Sequence, residues 1–169
     1  MAHKQQKMNG ANRMDNVNYR LAKEKDIALV LTFIKELAAY EKLGHLVENT
    51  EELMYKALFV DKHVEVLLAE EDETPVGFAL FFHNFSTFLG RAGIYLEDLY
   101  VRPAYRGKGY GKQFFKELAK IAEERNCGRI EWSCLDWNKS SIEFYKKLGA
   151  VPMDEWTVYR LTEKDYKEL

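Results

Sequence analysis

Apolar and polar positions along the chain follow two periods in turn, and the switches between them mark the elements. Val17-Asn-Tyr-Arg-Leu-Ala22 reads as a short first strand. From Lys25-Asp26 the spacing changes. Ile27, Val30, Leu31, Ile34, Leu37 and Ala38 recur three and four residues apart, the buried stripe of a helix. That helix ends near Gly44, a C-terminal cap. Asn49 or Thr50 caps a second helix, with Glu51 and Glu52 in its first turn and Leu53, Met54, Ala57 and Leu58 following.

From His63 the pattern becomes extended. Val64, Val66, Leu67, Leu68 and Ala69 form a strand, and Glu71 to Pro75 form a turn. Val76 to Phe85 is an aromatic-rich strand, and Ser86 to Gly90 turns the chain into a strand over Ile94 to Val101. Three strands with short links predict an antiparallel meander. Lys108 to Arg125 is helical, with Phe114, Phe115, Leu118, Ile121 and Ala122 on one side. A strand over Arg129 to Cys134 and a helix over Asn138 to Leu148 follow, the latter stopped by Gly149. Ala150 to Met153 and Trp156 to Leu161 read as final short strands, and Thr162 opens a last helical turn.

The predicted order is β-α-α-β-β-β-α-β-α-β(-β), without internal repeat or low-complexity run. The class is α/β in the mixed, α+β sense: a mostly antiparallel sheet flanked by helices. The strand–helix–strand unit at 94–134 requires a right-handed crossover between parallel neighbours.

At 169 residues the chain is long enough for a substantial core, and residues 17–169 are read as one domain. A net charge of −2 gives no electrostatic case for nucleic acid or anionic membrane as partner. No apolar run approaches the ~20 residues needed to span a bilayer. Residues 1–16 are polar, with Lys4, Lys7 and Arg13 but no hydrophobic stretch. They read as a disordered extension rather than a secretory signal. Cys127 and Cys134 suit neither a disulfide framework nor a metal site, so reduced thiols and a cytoplasmic setting are expected. The four histidines, His3, His45, His63 and His83, are scattered and read as structural or surface groups; no metal is expected.

The densest chemical signal is Tyr95-Leu-Glu-Asp-Leu-Tyr-Val101 followed by Arg102-Pro-Ala-Tyr-Arg-Gly-Lys-Gly-Tyr-Gly111. A strand runs into glycines at 107, 109 and 111, which open a helix. Such a loop is either a tight turn or a cradle in which backbone N–H groups and the helix N-terminus converge on an anion. A P-loop is excluded, because no Lys-Ser or Lys-Thr follows the glycines. A dinucleotide fingerprint is excluded because the third glycine comes one residue too early. Arg106-x-x-Gly109-x-Gly111 remains.

This loop resembles the acetyl-CoA pyrophosphate loop of the GNAT superfamily of N-acetyltransferases, and the order of elements is the GNAT order. Within that superfamily the chain is similar to the spermidine/spermine and thialysine acetyltransferases from about Tyr19 to Leu161. The matching segments are Ile34 to Lys42, Ile94 to Val101, Tyr105 to Gly111, Leu135-Asp-Trp-Asn138 and Phe144 to Ala150. Leu135-Asp-Trp-Asn138 looks more like the thialysine branch. The segment Val151 to Trp156 is shorter than in the polyamine enzymes, which weakens spermidine or spermine as acceptor.

The resemblance implies a GNAT fold with a splayed parallel strand pair, acetyl-CoA as cosubstrate and a small-molecule amine as acceptor. It also implies a homodimer. The chemistry needs particular groups. A primary amine titrates near ~10.4, so at pH 7 only about one molecule in a few thousand is free base. A carboxylate near the amine and a hydroxyl near the sulfur would cover both proton transfers. The resemblance places Glu97 at the amine and Tyr145 at the sulfur. Read from the residues alone, Glu97 equally suits a strand-end ion pair and Tyr145 a core aromatic beside Ile142 and Leu148. Asp98 points to the opposite face by strand alternation.

By the same carry-over, the backbone of Leu99, Tyr100 and Val101 pairs with the pantetheine arm as an added strand would. Arg106, Gly107, Lys108, Gly109, Tyr110, Gly111 and Lys112 cradle the pyrophosphate, with Arg102 as a further phosphate contact. Asn138, Lys139, Ser140 and Ser141 approach the pantetheine, Asn138 serving equally as a helix N-cap. Tyr40 and Glu41, Glu131, Trp132 and Ser133, and Asp154 line the acceptor site. The leading expectation is transfer to a small primary amine by direct attack in a ternary complex. The alternatives are a protein lysine or N-terminal acetyltransferase, and a non-catalytic acetyl-CoA-binding module.

Overall fold

Five strands form a single sheet in the order β1 (Val17–Leu21), β2 (Glu65–Glu71), β3 (Thr74–Ser86), β4 (Arg91–Val101), β5 (Ile130–Trp132). The computed structural model describes residues 17–169. They form two compact units, one ending at Ser133 and one from Cys134 to Leu169. The proposed N-terminal extension at 1–16 lies outside the described residues.

In the first unit β1 through β4 are antiparallel neighbours, and β4 and β5 run parallel, as the crossover requires. Each sheet face carries a core. Helix α1 (Ile27–Tyr40) and the short α2 (Glu51–Tyr55) cover one face. There Val30, Phe33, Leu37, Met54 and Leu58 pack on Val66, Leu68, Phe78, Leu80 and Tyr100. Phe33 lies flat on Phe78 at 5.4 Å, both fully buried. Burying each such ring contributes about 1.5–3 kcal/mol. Helix α3 (Tyr110–Glu124) covers the other face, with Phe114, Leu118 and Ala122 on Leu67, Ala79, Phe81, Ile94 and Leu96. At the sheet's free edge, Arg20 on β1 bonds both Asp26, ahead of α1, at 2.7 Å and Glu70 on β2 at 2.6 Å.

A bulge in β4 resets the strand's alternation. Leu80 pairs with Asp98 but Phe81 with Leu96, leaving Glu97 as the extra residue. Ile94 and Leu96 therefore face α3, as do Leu99 and Val101, while Tyr100 faces α1. The opposite faces expected for Glu97 and Asp98 assumed an unbroken period of two, and the bulge removes that premise.

The parallel pairing covers only Ile94–Leu96 against Ile130–Trp132. Beyond it, the β5 side of β4 at 97–101 has no ladder partner among the described residues of this unit. The pair splays there.

Four elements differ from the sequence expectation. The first helix ends at Tyr40 with Glu41 as its C-cap, and Gly44 opens a separate 3-10 turn instead of capping it. The β2–β3 turn is only Asp72-Glu73, because Glu71 and Thr74 already pair and both central residues have positive φ, at 50° and 63°. That is the twist a two-residue hairpin needs. The second helix holds α geometry for only five residues, then widens into a π turn over Lys56–Val60. The strands expected at 150–153 and 156–161 do not form. Val151, Met153, Trp156, Val158, Tyr159 and Leu161 are all exposed. An alternating pattern becomes a strand only where a neighbour supplies the ladder. The second unit contains α4 (Lys139–Lys147) and a final turn, α5 (Glu163–Lys167), opened by Thr162 as expected.

Candidate active site

The open edge of β4 leads directly into the glycine loop, and both belong to the first unit. After Val101 a single turn at Pro103–Tyr105 redirects the chain. Gly107 and Gly109 then take φ of 76° and 96°, left-handed values that L side chains resist by roughly 1–2 kcal/mol. Gly109 is the N-cap of α3, whose first turn carries no acidic side chain. A Cβ at Gly107 would meet nothing within 4 Å, so backbone conformation rather than crowding requires glycine there. A loop of this form presents N–H groups and the positive end of a helix to one anion.

Glu71 anchors the loop from below. Its carboxylate accepts a 2.5 Å hydrogen bond from the Tyr110 hydroxyl and lies 3.5 Å from the Lys108 ammonium. Lys108 also sits over the Tyr105 ring, so it is a paired group rather than a merely solvated one. In the sequence Glu71 looks like an ordinary turn residue. Its role follows from the register that ends β2 beside the start of α3.

Three carboxylates gather near the splay: Glu41 at the end of α1, and Glu97 and Asp98 at the bulge. Glu97 is exposed and Asp98 is mostly buried. Burial, then the nearby charges of Glu97 and Glu41, push the Asp98 carboxyl from its ordinary 3.8 up to about 7. Burial also raises Glu41. A cluster of this kind is short of positive charge, and a bound cation would favour its ionised form.

Of the other acceptor candidates, Glu131 bonds Asn84 at 2.7 Å and pairs with Arg129 at 2.7 Å. The Ser133 hydroxyl lies 2.8 Å from that of Tyr95, which packs on Phe82. The Trp132 ring packs on Phe115 at 4.8 Å, on the α3 face. Alternation along β5 thus separates Trp132 from its neighbours. Tyr40 is the last residue of α1, and the Arg106 guanidinium lies 4.6 Å from its ring. Arg102 is held by Glu36 and the Pro75 carbonyl.

In the second unit Asn138 is buried and caps α4, its side-chain oxygen accepting from the Ser141 N–H at 3.3 Å. Lys139, Ser140 and Ser141 form the first turn of that helix. Tyr145 is half-buried on α4 with its ring against Phe144 at 5.3 Å. Its carbonyl accepts from the Ala150 N–H, which closes the helix end. Asp154 lies in an exposed turn.

Comparison with known proteins identifies the family and the fold. The profile of the acetyltransferase (GNAT) family matches residues 31–150. A thialysine N-epsilon-acetyltransferase of Bos taurus is 38% identical over 90% of this chain and 96% of its own. An L-ornithine N5-acetyltransferase of Arabidopsis thaliana is 31% identical over 85% and 83%. Among solved structures, a Vibrio cholerae integron cassette protein superposes with a TM-score of 0.75 at 28% identity, over 90% of this chain and 96% of that one. A predicted acetyltransferase from Clostridium acetobutylicum, solved with acetyl-CoA, gives 0.72 at 25% identity, over 85% and 96%.

Proposed function

The chain belongs to the GNAT family of acetyltransferases and is an N-acetyltransferase. From that premise we propose that it moves the acetyl group of acetyl-CoA to a terminal primary amine of a small cationic acceptor. The class is a lysine-like amino acid, such as thialysine or ornithine, or a diamine or polyamine. The observation that carries the reading is the trio Glu41, Glu97 and Asp98 beside the open β4 edge and its glycine loop. Relatives named for thialysine and ornithine, both amino acids with a terminal amine, support the acceptor class.

The loop suits the cosubstrate's charged end: positive φ at Gly107 and Gly109, no acid in the first turn of α3, and open space at Gly107. Backbone N–H groups of Arg106 to Lys112 would hold the pyrophosphate, and the β4 edge at Leu99 to Val101 the pantetheine arm. Asn138 to Ser141 would approach that arm near the reacting end. Acetyl-CoA supplies a thioester as acetyl donor.

The acidic trio would draw the ammonium in, with Tyr40, Glu131, Trp132, Ser133 and Asp154 completing the acceptor surroundings. An ammonium cannot attack, so its proton leaves first. Glu97 would take it, directly or through water, with Asp98 beside it. Asp98, raised to about 7 by burial and by the charges of Glu97 and Glu41, is suited to share that proton near neutrality. The freed amine then forms the C–N bond as the C–S bond breaks. Tyr145 would return a proton to the leaving sulfur. Neither Cys127 nor Cys134 matches a family nucleophile, so transfer is direct in this reading. The reading also takes the protein as cytoplasmic, from its two unpatterned cysteines, and as a homodimer, from the family resemblance; light scattering tests the dimer.

The experiment is acetyl-CoA-dependent thiol release with thialysine, ornithine, lysine, putrescine, spermidine, spermine, a lysine peptide and no acceptor. Turnover with a small amine that Glu97→Gln cuts by about 100-fold supports the reading. Turnover with the peptide alone sinks the acceptor class. Full activity in the Glu97→Gln, Tyr145→Phe double variant would show that these roles are misassigned.

A further inference from the structure

The segment joining β4 to α3 is fastened to α1 by two arginines. Arg102 and Arg106 stand four residues apart, and their partners Glu36 and Tyr40 stand four apart on α1, on one face of the helix. Arg102 donates to both oxygens of Glu36, at 2.8 Å from Nη2 and 3.1 Å from Nε, and to the Pro75 carbonyl at 2.9 Å. Its guanidinium also lies 4.8 Å from the Phe33 ring. Arg106 makes a different set of contacts. Its Nε donates to the Val101 carbonyl at 2.8 Å, and its guanidinium lies over Tyr40 at 4.6 Å and Tyr100 at 5.5 Å.

Arg106 occupies the first position of the glycine-loop signature, but every one of these side-chain contacts goes to β4 or α1. Tyr40 is the last residue of α1, and Glu41 is its C-cap. The next residue, Lys42, turns the chain away with φ of 62°. Backbone bonds from the Glu41, Lys42 and Leu43 N–H groups to Leu37, Ala39 and Ala38 close the helix end, but they do not join it to β4; the Glu41 charge acts on Asp98. The Arg106 side chain adds a lateral tie, from the Val101 carbonyl on β4 to the Tyr40 ring at the end of α1.

We infer that Arg106 is a positioning residue for the amine acceptor. Its backbone stays with the pyrophosphate cradle while its side chain ties Tyr40 and Glu41 to the end of β4. The assignment rests on the small-amine reading above. It gives one residue a part on each side of the reaction, so that the acceptor carboxylates keep their place relative to the cosubstrate edge. Cation–ring contact together with a hydrogen bond to a carbonyl sets the size of the effect.

The test compares Arg106→Met, which keeps an unbranched apolar chain, with Arg106→Lys, which restores a cation able to sit over Tyr40. Steady-state kinetics use thialysine and ornithine, and acetyl-CoA affinity is measured by calorimetry. Arg106→Met should raise the amine KM by about 5- to 20-fold. It should raise the amine KM by a larger factor than the acetyl-CoA Kd, because the backbone N–H of residue 106 stays in the cradle while the tie to Tyr40 is lost. Arg106→Lys should recover most of the amine KM. Amide hydrogen exchange at residues 38–42 should quicken in Arg106→Met whether or not the protein turns over. A loss confined to acetyl-CoA affinity overturns the inference, as do unchanged amine KM and unchanged exchange. If the wild-type protein acetylates neither amine, the acceptor reading fails by itself, and the exchange comparison still upholds or overturns the tie.

Discussion

Asp98 offers a test in which function and stability pull apart. Burial and the charges of Glu97 and Glu41 raise its carboxyl from 3.8 to about 7. The folded protein therefore holds a proton that the unfolded chain has already lost. Below pH 3.8 the group is neutral in both states and costs nothing. Between 3.8 and about 7 the cost of folding grows with pH, and above that window it is constant. The full shift corresponds to about 4 kcal/mol, and the partial solvent exposure of the side chain leaves about 1–3 kcal/mol in the folding equilibrium. Asp98→Asn mimics the neutral form at every pH. It should match wild-type stability near pH 4 and exceed it by about 1–3 kcal/mol at pH 8, or about 2–4 °C in Tm per kcal/mol. Urea unfolding followed by tryptophan fluorescence at pH 4, 6 and 8 measures this directly. Asp26, whose carboxyl the Arg20 guanidinium holds low, titrates in both proteins and cancels in the difference. The same variant should lose most amine acetylation, so stability would rise as activity falls. A stability difference independent of pH, or a variant less stable than wild type at pH 8, would refute the reasoning.

Three further outcomes are expected. Tyr145→Phe should lower kcat by about 100-fold with little change in either KM, since a proton donor acts on the chemical step; stopped-flow thiol release measures it. Gly109→Ala places a side chain at φ of 96° and should cost about 1–2 kcal/mol in stability while weakening acetyl-CoA binding, read by thermal melts and calorimetry. Arg20→Met leaves Asp26, only 6% exposed, without its guanidinium. Chemical denaturation at pH 7 should show a loss of about 2–4 kcal/mol, and that loss should shrink as pH falls and Asp26 becomes protonated.

Periodicity alone located the strands and helices of residues 17–148, because each buries one face and the residues of that face recur at the element's own period. The loop glycines were legible for a related reason: left-handed backbone at 107 and 109 leaves little choice of residue. The C-terminal strands were not legible, since an alternating segment cannot announce whether a ladder partner exists.

The order of elements, together with the resemblance of the loop and motif segments, pointed to the fold family and put a glycine loop after a carboxylate-bearing strand. Only the tertiary structure decided what surrounds those carboxylates. The bulge at Glu97 shifts the phase of β4, and α1 ends where Glu41 can act on Asp98 from more than fifty residues away. Arg106 illustrates the same division. Its place in the motif belongs to the sequence, whereas its contact with Tyr40 depends on the α1 face that packs over β3 and β4. Local pattern fixes which residues share an element's face, but electrostatic surroundings are sums over neighbours that only folding brings together.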